Sequence, residues 1–519
     1  MHIDSKMNSG NGVTNIDSSS NSYSTNKLWN IGIGVLILAA LVIITYVTVV
    51  DANLWGHLRF GLDALENREI TQVDPYSYLS TGHRWINHEW LAEVAFALAW
   101  LAAGSTGLVL LKTTVGVLTI ALVYFFLIKQ CMPPIRAGSL VIVASLGIFP
   151  AIATVRPHMF TLLFTSCLFI VITLADQGKY KWLWFAPLIT ALWVNFHGGI
   201  LAGLGFLGIW AVFHTVLHRD KWRRILPPVI ISFLAILLNP YGLDLITFLL
   251  RTATVPRTEI VEWQPLQPVS VLGGIYLVLL LILILGLVYS RRQKSIPLMV
   301  LLGVAVLLPF VASRHLPIFS LAVLVFGGEH IADAWARFSP KKDEQRSRPR
   351  WMPIISIILA IGLLIGSINN FRNIPIPGDP NPFFPINAIS ILKQSQVEGN
   401  LGIPFNWGEY AIWHLGPGIK VSIDGRRETV YPEYIYQANL AFQYGVKEWD
   451  SILENHETHM VLVKVSSATH NLMKTKTEWE LIYEDNTSSL FASQEWSQID
   501  GLRQLASEFE PPPPKNVFP

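Results

Sequence analysis

Asp51 stands at the end of the first long apolar run, and His88 and Glu89 close the polar stretch that follows it. Two carboxylates at a membrane surface suit general-base work on a hydroxyl, or the binding of a divalent metal such as Mg or Mn held by Asp51 and Glu89. Other candidates lie in the loop after Asp51 and in the later loops on the same side. They are His57, Arg156 and His158 (VRPHM), Asn195 and His197 (NFHGG), Glu262 (VEWQP), and Arg314 and His315 (SRHLP). A guanidinium presents a planar fork that matches phosphate, so Arg156 and Arg314 are the phosphate-binding candidates. Ionisable groups near a bilayer cost on the order of a few kcal/mol and face a cavity or a partner. Plainer readings stay open. Asp51 can simply end a helix, an arginine can snorkel to a headgroup, and any one of these histidines can serve a structural hydrogen bond as readily as catalysis.

The elements that must position these groups follow from composition. Of 519 residues, 51% are hydrophobic and 14% charged, and the mean hydropathy is +0.42. Soluble globular proteins carry roughly 25% charged residues, so most of this chain faces lipid, and a wholly soluble enzyme or a disordered protein is excluded. The net charge of +2 gives no reason to expect nucleic acid as a partner, and the two cysteines do not make a disulfide framework. About eleven spans are expected, near 28–50, 107–128, 137–153, 159–175, 182–196, 200–216, 225–238, 270–290, 296–312, 316–332 and 352–369. The fold class is an α-helical polytopic membrane protein with a C-terminal extracytoplasmic α/β domain.

Orientation follows from the basic residues. With segment 89–104 non-spanning and the N-terminus inside, Lys129, Arg136, Lys179, Lys181, Arg219 to Arg224, Arg291 to Lys294 and Arg337 to Arg350 all fall in inner loops, while the short outer loops keep Arg156 and Arg314. This bias satisfies the positive-inside rule. Segment 89–104 is therefore read as interfacial or re-entrant. The stretch DANLWGHLRFGLDAL carries Leu54, Leu58, Leu62 and Leu65 at helical spacing, as an interfacial amphipathic helix would. The domains expected are a disordered cytoplasmic tail (1–27), a transmembrane domain (28–369) with an outer loop (51–106), an extracytoplasmic α/β domain (370–510) and a disordered Pro-rich tail (511–519). Strands are expected at NLGIPF, KVSID, HMVLVKV and SSLFAS. All the candidate groups then gather at one face, in separate outer loops.

Two apparent motifs carry no function. Gly203, Gly205 and Gly208 fit GxGxxG but lie inside an apolar run, where close helix packing explains them. His88-Glu89-Trp90-Leu91-Ala92 begins like a zinc-protease helix but has Ala92 where the second histidine belongs.

The layout resembles the GT-C superfamily of membrane glycosyltransferases, in which one span leads to a large outer loop with an acidic residue directly after the span and further acidic residues near the loop's end. Asp51 matches the first position and Glu89 the second. The chain is also similar to a widespread bacterial group of multi-pass proteins through DANLWGHLRFGLDAL, RPHMFTLL, WVNFHGGILAG, LNPYGLDL, VEWQP, RHLPIFSL and FNWGEYAIWHL…KVSIDGRRETVYP. The acidic pair common after span 1 in protein mannosyltransferases is here Asp51-Ala52. The resemblance implies a polyprenyl-phosphate-linked sugar as donor, a glycan, lipid or protein as acceptor, inversion at the anomeric carbon, membrane lipid as surroundings, and the bacterial inner membrane as location. Rival readings are a transporter, a non-catalytic polysaccharide-assembly protein, and a metal-independent ligase like the O-antigen ligases, driven by Arg314 and His315. Against a transporter stand the apolar mid-span positions.

Overall fold

The computed structural model describes residues 17–253, 255, 257, 260–338, 351–367, 371–376, 383–511 and 517–519. Backbone polar groups in lipid must be satisfied within their own segment, so the apolar runs become helices. In chain order they are α1 (Asp17–Tyr46), α2 (Leu54–Asn67), α3 (Trp90–Lys129), α4 (Pro134–Ile152), α5 (His158–Asp176), α6 (Phe185–Trp193), α7 (Ile200–Leu217), α8 (Trp222–Leu234), α9 (Leu243–Thr252), α10 (Val271–Tyr289), α11 (Ile296–Val311), α12 (Leu316–Val325), α13 (Gly328–Phe338) and α14 (Met352–Ser367). This is a membrane protein. Among the described residues six helices are long and apolar enough to cross a bilayer, or seven if the pair α12 and α13, bent by 58°, counts as one broken span and not a re-entrant loop. Helices α6 and α8 have 9 and 13 residues, short of the ~20 that a bilayer needs.

Segment 89–104 is the first half of α3, set off by non-helical dihedrals at Ala103 and Gly104. It packs along α2 and carries Trp100 edge-on to Trp413 and Phe518, with ring centroids 6.1 and 5.6 Å apart. It therefore lies beside the C-terminal domain, while the half after the break is a continuous apolar helix.

The C-terminal domain is a five-stranded sheet with strands β1 (Gly399–Gly402), β2 (Ile419–Val421), β3 (Met460–Lys464), β4 (Trp479–Glu484) and β5 (Ser488–Ser493), in the order β2-β1-β3-β5-β4. β1 runs parallel to β2 and β3, and β5 is antiparallel to β3 and β4. Helices α15 (Ile386–Ser395), α16 (Gly408–Leu415) and α17 (Glu433–Tyr444) pack around it.

The stretch between α1 and the break in α3 shares this domain's core. Leu54, Trp55, Leu58, Trp85 and Phe96 are buried in one cluster with Leu401, Val421, Leu462 and Phe491. The backbone joins as well, for Tyr78 N–H donates to Val421 O and Val421 N–H to Tyr76 O. The expected division between the transmembrane domain with its outer loop and a separate α/β domain thus differs from the packing, because the loop's apolar face is covered by the C-terminal domain. The tails differ too. Residues 1–16 lie outside the described residues, and α1 already begins at Asp17. In place of a disordered end over 511–519, Phe518 is buried against Trp55 and its amide donates to Ile374 O; residues 512–516 lie outside the described residues.

Candidate functional site

Asp51 follows the end of α1 and precedes α2, where its side chain closes a local turn by accepting from Asn53 N–H at 3.0 Å. Its other oxygen lies 2.6 Å from Arg156 Nη2, on the loop between α4 and α5. Burial disfavours the charged carboxylate, but the Arg156 guanidinium and the Asn53 amide hold it below the usual aspartate range. Arg156 Nη1 is 3.5 Å from Glu262, and Glu262 is 3.7 Å from Arg314 Nη1. Asp51, Arg156, Glu262 and Arg314 thus form a chain of alternating charge drawn from four separate segments. Burial lowers the Arg314 guanidinium from its usual value; Glu262 opposes this, while Arg156 and Arg257 add to it.

Trp263 organises the far end of this chain. The guanidinium carbons of Arg257 and Arg314 lie 4.0 and 4.4 Å from its ring centre, as cation–π contacts. Arg257 also pairs with Glu428 of the C-terminal domain. Neither Arg257 nor Trp263 stood out in the sequence as a site residue, since their partners are remote along the chain.

A second group centres on Glu89. Its carboxylate lies 3.5 Å from His197 Nε2 and 3.8 Å from His88 Nε2. Burial works against its charge, and the surrounding His88, His197, His57 and His158 outweigh it, so Glu89 is held below the usual range. The tautomer of His197 follows from its bonds. Trp193 Nε1–H donates to Thr161 Oγ1 at 2.9 Å, Thr161 Oγ1 lies 2.9 Å from His197 Nδ1, and Gly199 N–H donates to that same nitrogen at 2.9 Å. Nδ1 is the acceptor, so Nε2 carries the hydrogen that faces Glu89. Burial lowers the His197 pKa to about 3 and keeps the ring neutral.

Three sequence candidates are engaged by partners within the protein. Asn195 donates to Ala191 O and Leu238 O at 2.9 and 2.8 Å and accepts from Trp90 Nε1 at 3.0 Å; it is a joint between α6, α3 and the end of α8. His57 is buried, with Nδ1 3.0 Å from Glu93 Oε1, and Glu93 in turn accepts from Asn87 Nδ2 at 2.6 Å. Glu93 raises His57 against the lowering effect of burial. His158 donates Nε2–H to Ala151 O at 2.5 Å, tying α5 back to α4. His315 is half-buried beside Arg314, and burial with that neighbouring charge lowers its pKa to about 4.

One Asp51 oxygen is taken by Arg156, and among the described residues no group of three His, Cys, Asp or Glu is placed to hold a metal ion.

No protein-family model and no curated relative matches the sequence. Solved structures do. The oligosaccharyltransferase of Archaeoglobus fulgidus in its apo form matches with a TM-score of 0.56 at 10% identity, over 91% of this chain and 75% of that one. ArnT from Cupriavidus metallidurans in the apo state matches at 0.50 and 12% identity, over 94% of this chain and 98% of that one. Both are of the GT-C kind. The chain has the GT-C fold. Its ArnT neighbour has also been solved bound to undecaprenyl phosphate, a structure that matches at 0.49 and 12% identity, over 93% and 99% of the two chains. Within this GT-C fold the charged chain and the Glu89 group lie at the end of the helix bundle that the C-terminal domain covers.

Proposed function

We propose that this protein is a membrane glycosyltransferase that moves a sugar from a polyprenyl-phosphate donor to an extracytoplasmic acceptor, in the bacterial inner membrane. The observation that carries the reading is the Asp51–Arg156–Glu262–Arg314 chain, which puts two guanidiniums and two carboxylates at one end of a GT-C bundle.

The donor's isoprenoid tail lies along a groove between helices and its phosphate meets Arg314, backed by Arg156. In the reaction an acceptor hydroxyl oxygen forms a bond to the anomeric carbon as the bond to the phosphate oxygen breaks. The electron pair leaves with the polyprenyl phosphate, and the cations stabilise the charge that grows there. The hydroxyl proton passes to Asp51. A carboxylate held in low-pKa form is a weak base, so its main work is to orient the hydroxyl and to receive the proton late. Glu89, facing a neutral His197 N–H and His88, takes the proton onward. Attack opposite the leaving group inverts the anomeric centre.

Undecaprenyl phosphate, the lipid part of such a donor, tests this without knowledge of the sugar. Binding to the purified full chain is measured for wild type and Arg314→Ala. The reading expects saturable binding weakened at least tenfold by the substitution. Equal binding by both, or none by either, contradicts it.

A further inference from the structure

Two buried ionisable side chains outside the proposed chemistry grip the segment that carries Asp51. Lys112, in the second half of α3, is 1% exposed. Its Nζ donates to Thr45 O at 2.7 Å and to Val47 O at 2.6 Å. Thr45 lies in the last turn of α1, whose final carbonyls have no partner within the helix, and a cation at that end also meets the negative pole of the helix dipole. A lysine buried in a bilayer-facing bundle is costly, and here its Nζ is spent on two carbonyls, Thr45 O and Val47 O, six and four residues before Asp51.

The other grip comes from the C-terminal domain. Glu409, in the first turn of α16, is 3% exposed, and its Oε2 accepts from Gly56 N–H at 3.2 Å. Gly56 is the third residue of α2, so its N–H is one of the orphan donors of that helix, capped here from far along the chain. The approach is too close for any side chain, since a Cβ on Gly56 would stand 2.3 Å from that oxygen. Across the same carboxyl, a Cβ on Gly425 would stand 2.4 Å from Glu409 Oε1 and 2.6 Å from Asn53 Oδ1. Between the two grips Val49 N–H donates to Ala153 O, Val50 N–H to Pro375 O, and Leu54 N–H to Asp51 O.

We propose that Lys112 and Glu409 are positioning residues for Asp51, clamping the two ends of segment 47–56. The C-terminal domain is then a structural part of the site and not only a module beside it. The catalytic consequence rests on the glycosyltransferase reading; the clamp itself does not. Burial, with the charges of Asp424 and Asp51 beside it, pushes the Glu409 carboxyl well above its usual range. Glutamine, neutral and of the same shape, is therefore its faithful substitute.

The test is hydrogen exchange, read by mass spectrometry on the purified full chain for wild type, Lys112→Met, Lys112→Arg, Glu409→Ala, Glu409→Gln and Glu409→Asp. Accumulation of a polyprenyl-phosphate sugar in the host is followed alongside. Lys112→Met and Glu409→Ala should speed exchange of residues 47–57 at least tenfold and leave the β3 and β5 peptides unchanged. Glu409→Gln should keep wild-type protection, and Lys112→Arg should restore most of it. Unchanged exchange at 47–57 in both truncations overturns the clamp, as does a Glu409→Gln chain as unprotected as the alanine form. If Glu409→Ala loosens the whole C-terminal domain, Glu409→Asp decides. One methylene shorter, it withdraws the oxygen from Gly56 and should speed 47–57 alone, and no local change there overturns the proposal. Altered exchange without lipid accumulation, in a host where Asp51→Asn does accumulate the lipid, would overturn the positioning role and leave the glycosyltransferase reading; no accumulation in any strain, Asp51→Asn included, would remove that reading and leave the clamp.

Discussion

Arg156 Nη2 lies 2.6 Å from Asp51 Oδ2, and the same guanidinium reaches Glu262 at 3.5 Å. One arginine therefore both fixes the charge of the residue after the first span and links it to the loop that carries Trp263. Removing it should act on Asp51 first. Asp51 and Glu89 are both held below the usual carboxylate range. Activity should thus be flat as pH falls to about 4 and decline only below that. The sign for stability agrees. A depressed folded-state pKa contributes stability that is fully present above the ordinary aspartate value of 3.8 and is lost as pH falls through the lower folded value. Arg156→Met should move the acid limb of the pH–rate profile upward. An unmoved limb would mean that Asp51 is not the group being titrated.

Arg314 is expected to bear on the leaving phosphate. Arg314→Ala should lower kcat about a hundredfold, the usual cost of losing one preorganised charge at a developing anion. Arg314→Lys should recover only part, because an ammonium keeps the charge and loses the fork that stacks on Trp263. Steady-state rates of the two variants check this: Arg314→Lys as fast as wild type would place Arg314 in a purely electrostatic role, and Arg314→Ala as fast as wild type would remove it from the reaction.

His197 should not titrate between pH 8 and 5. Its ring is held neutral by burial, with Nε2 protonated by virtue of the bonds to Nδ1. The 15N chemical shifts of a labelled sample should report a single Nε2–H tautomer over that range. Thr161→Val removes the hydroxyl that accepts from Trp193; it should cost about 1–3 kcal/mol of stability through the unpaired indole N–H, while Gly199 N–H keeps Nδ1 the acceptor and the tautomer unchanged.

Asn195 gives the contrasting case. Its amide is fully spent on Trp90, Ala191 and Leu238. Asn195→Ala should lower the unfolding temperature while leaving kcat of the folded fraction within about twofold, with a cost of about 1–3 kcal/mol for the orphaned groups. A large loss of kcat with unchanged unfolding would show that Asn195 meets the ligand after all.

The sequence allowed the gathering of polar groups at one face to be read, because it only requires knowing where each apolar run stops. Asp51, Arg156 and Arg314 lie at such stops and Glu262 in a loop between two runs, and they meet. The roles of His57 and Asn195 were not legible, since a buried partner such as Glu93 or Leu238 O looks no different in one dimension from a ligand. Lys112 sits inside an apolar run, and Glu409 in a short helix of the C-terminal domain; their importance comes from contacts with α1 and α2 that no local pattern encodes. In the sheet, β4 (WELIYE) escaped notice because its residues are half-exposed on both faces and alternate weakly, whereas the buried β3 and β5 read as apolar runs.

The central claim is that Asp51 serves transfer from a polyprenyl-phosphate sugar. Mass spectrometry of lipid extracts from the native host tests it most directly, comparing wild type, Asp51→Asn and a deletion. Accumulation of the same polyprenyl-phosphate sugar in both altered strains is the result expected. An unchanged lipid pool in both strains would contradict the claim and favour a transporter or a non-catalytic assembly protein built on the same fold.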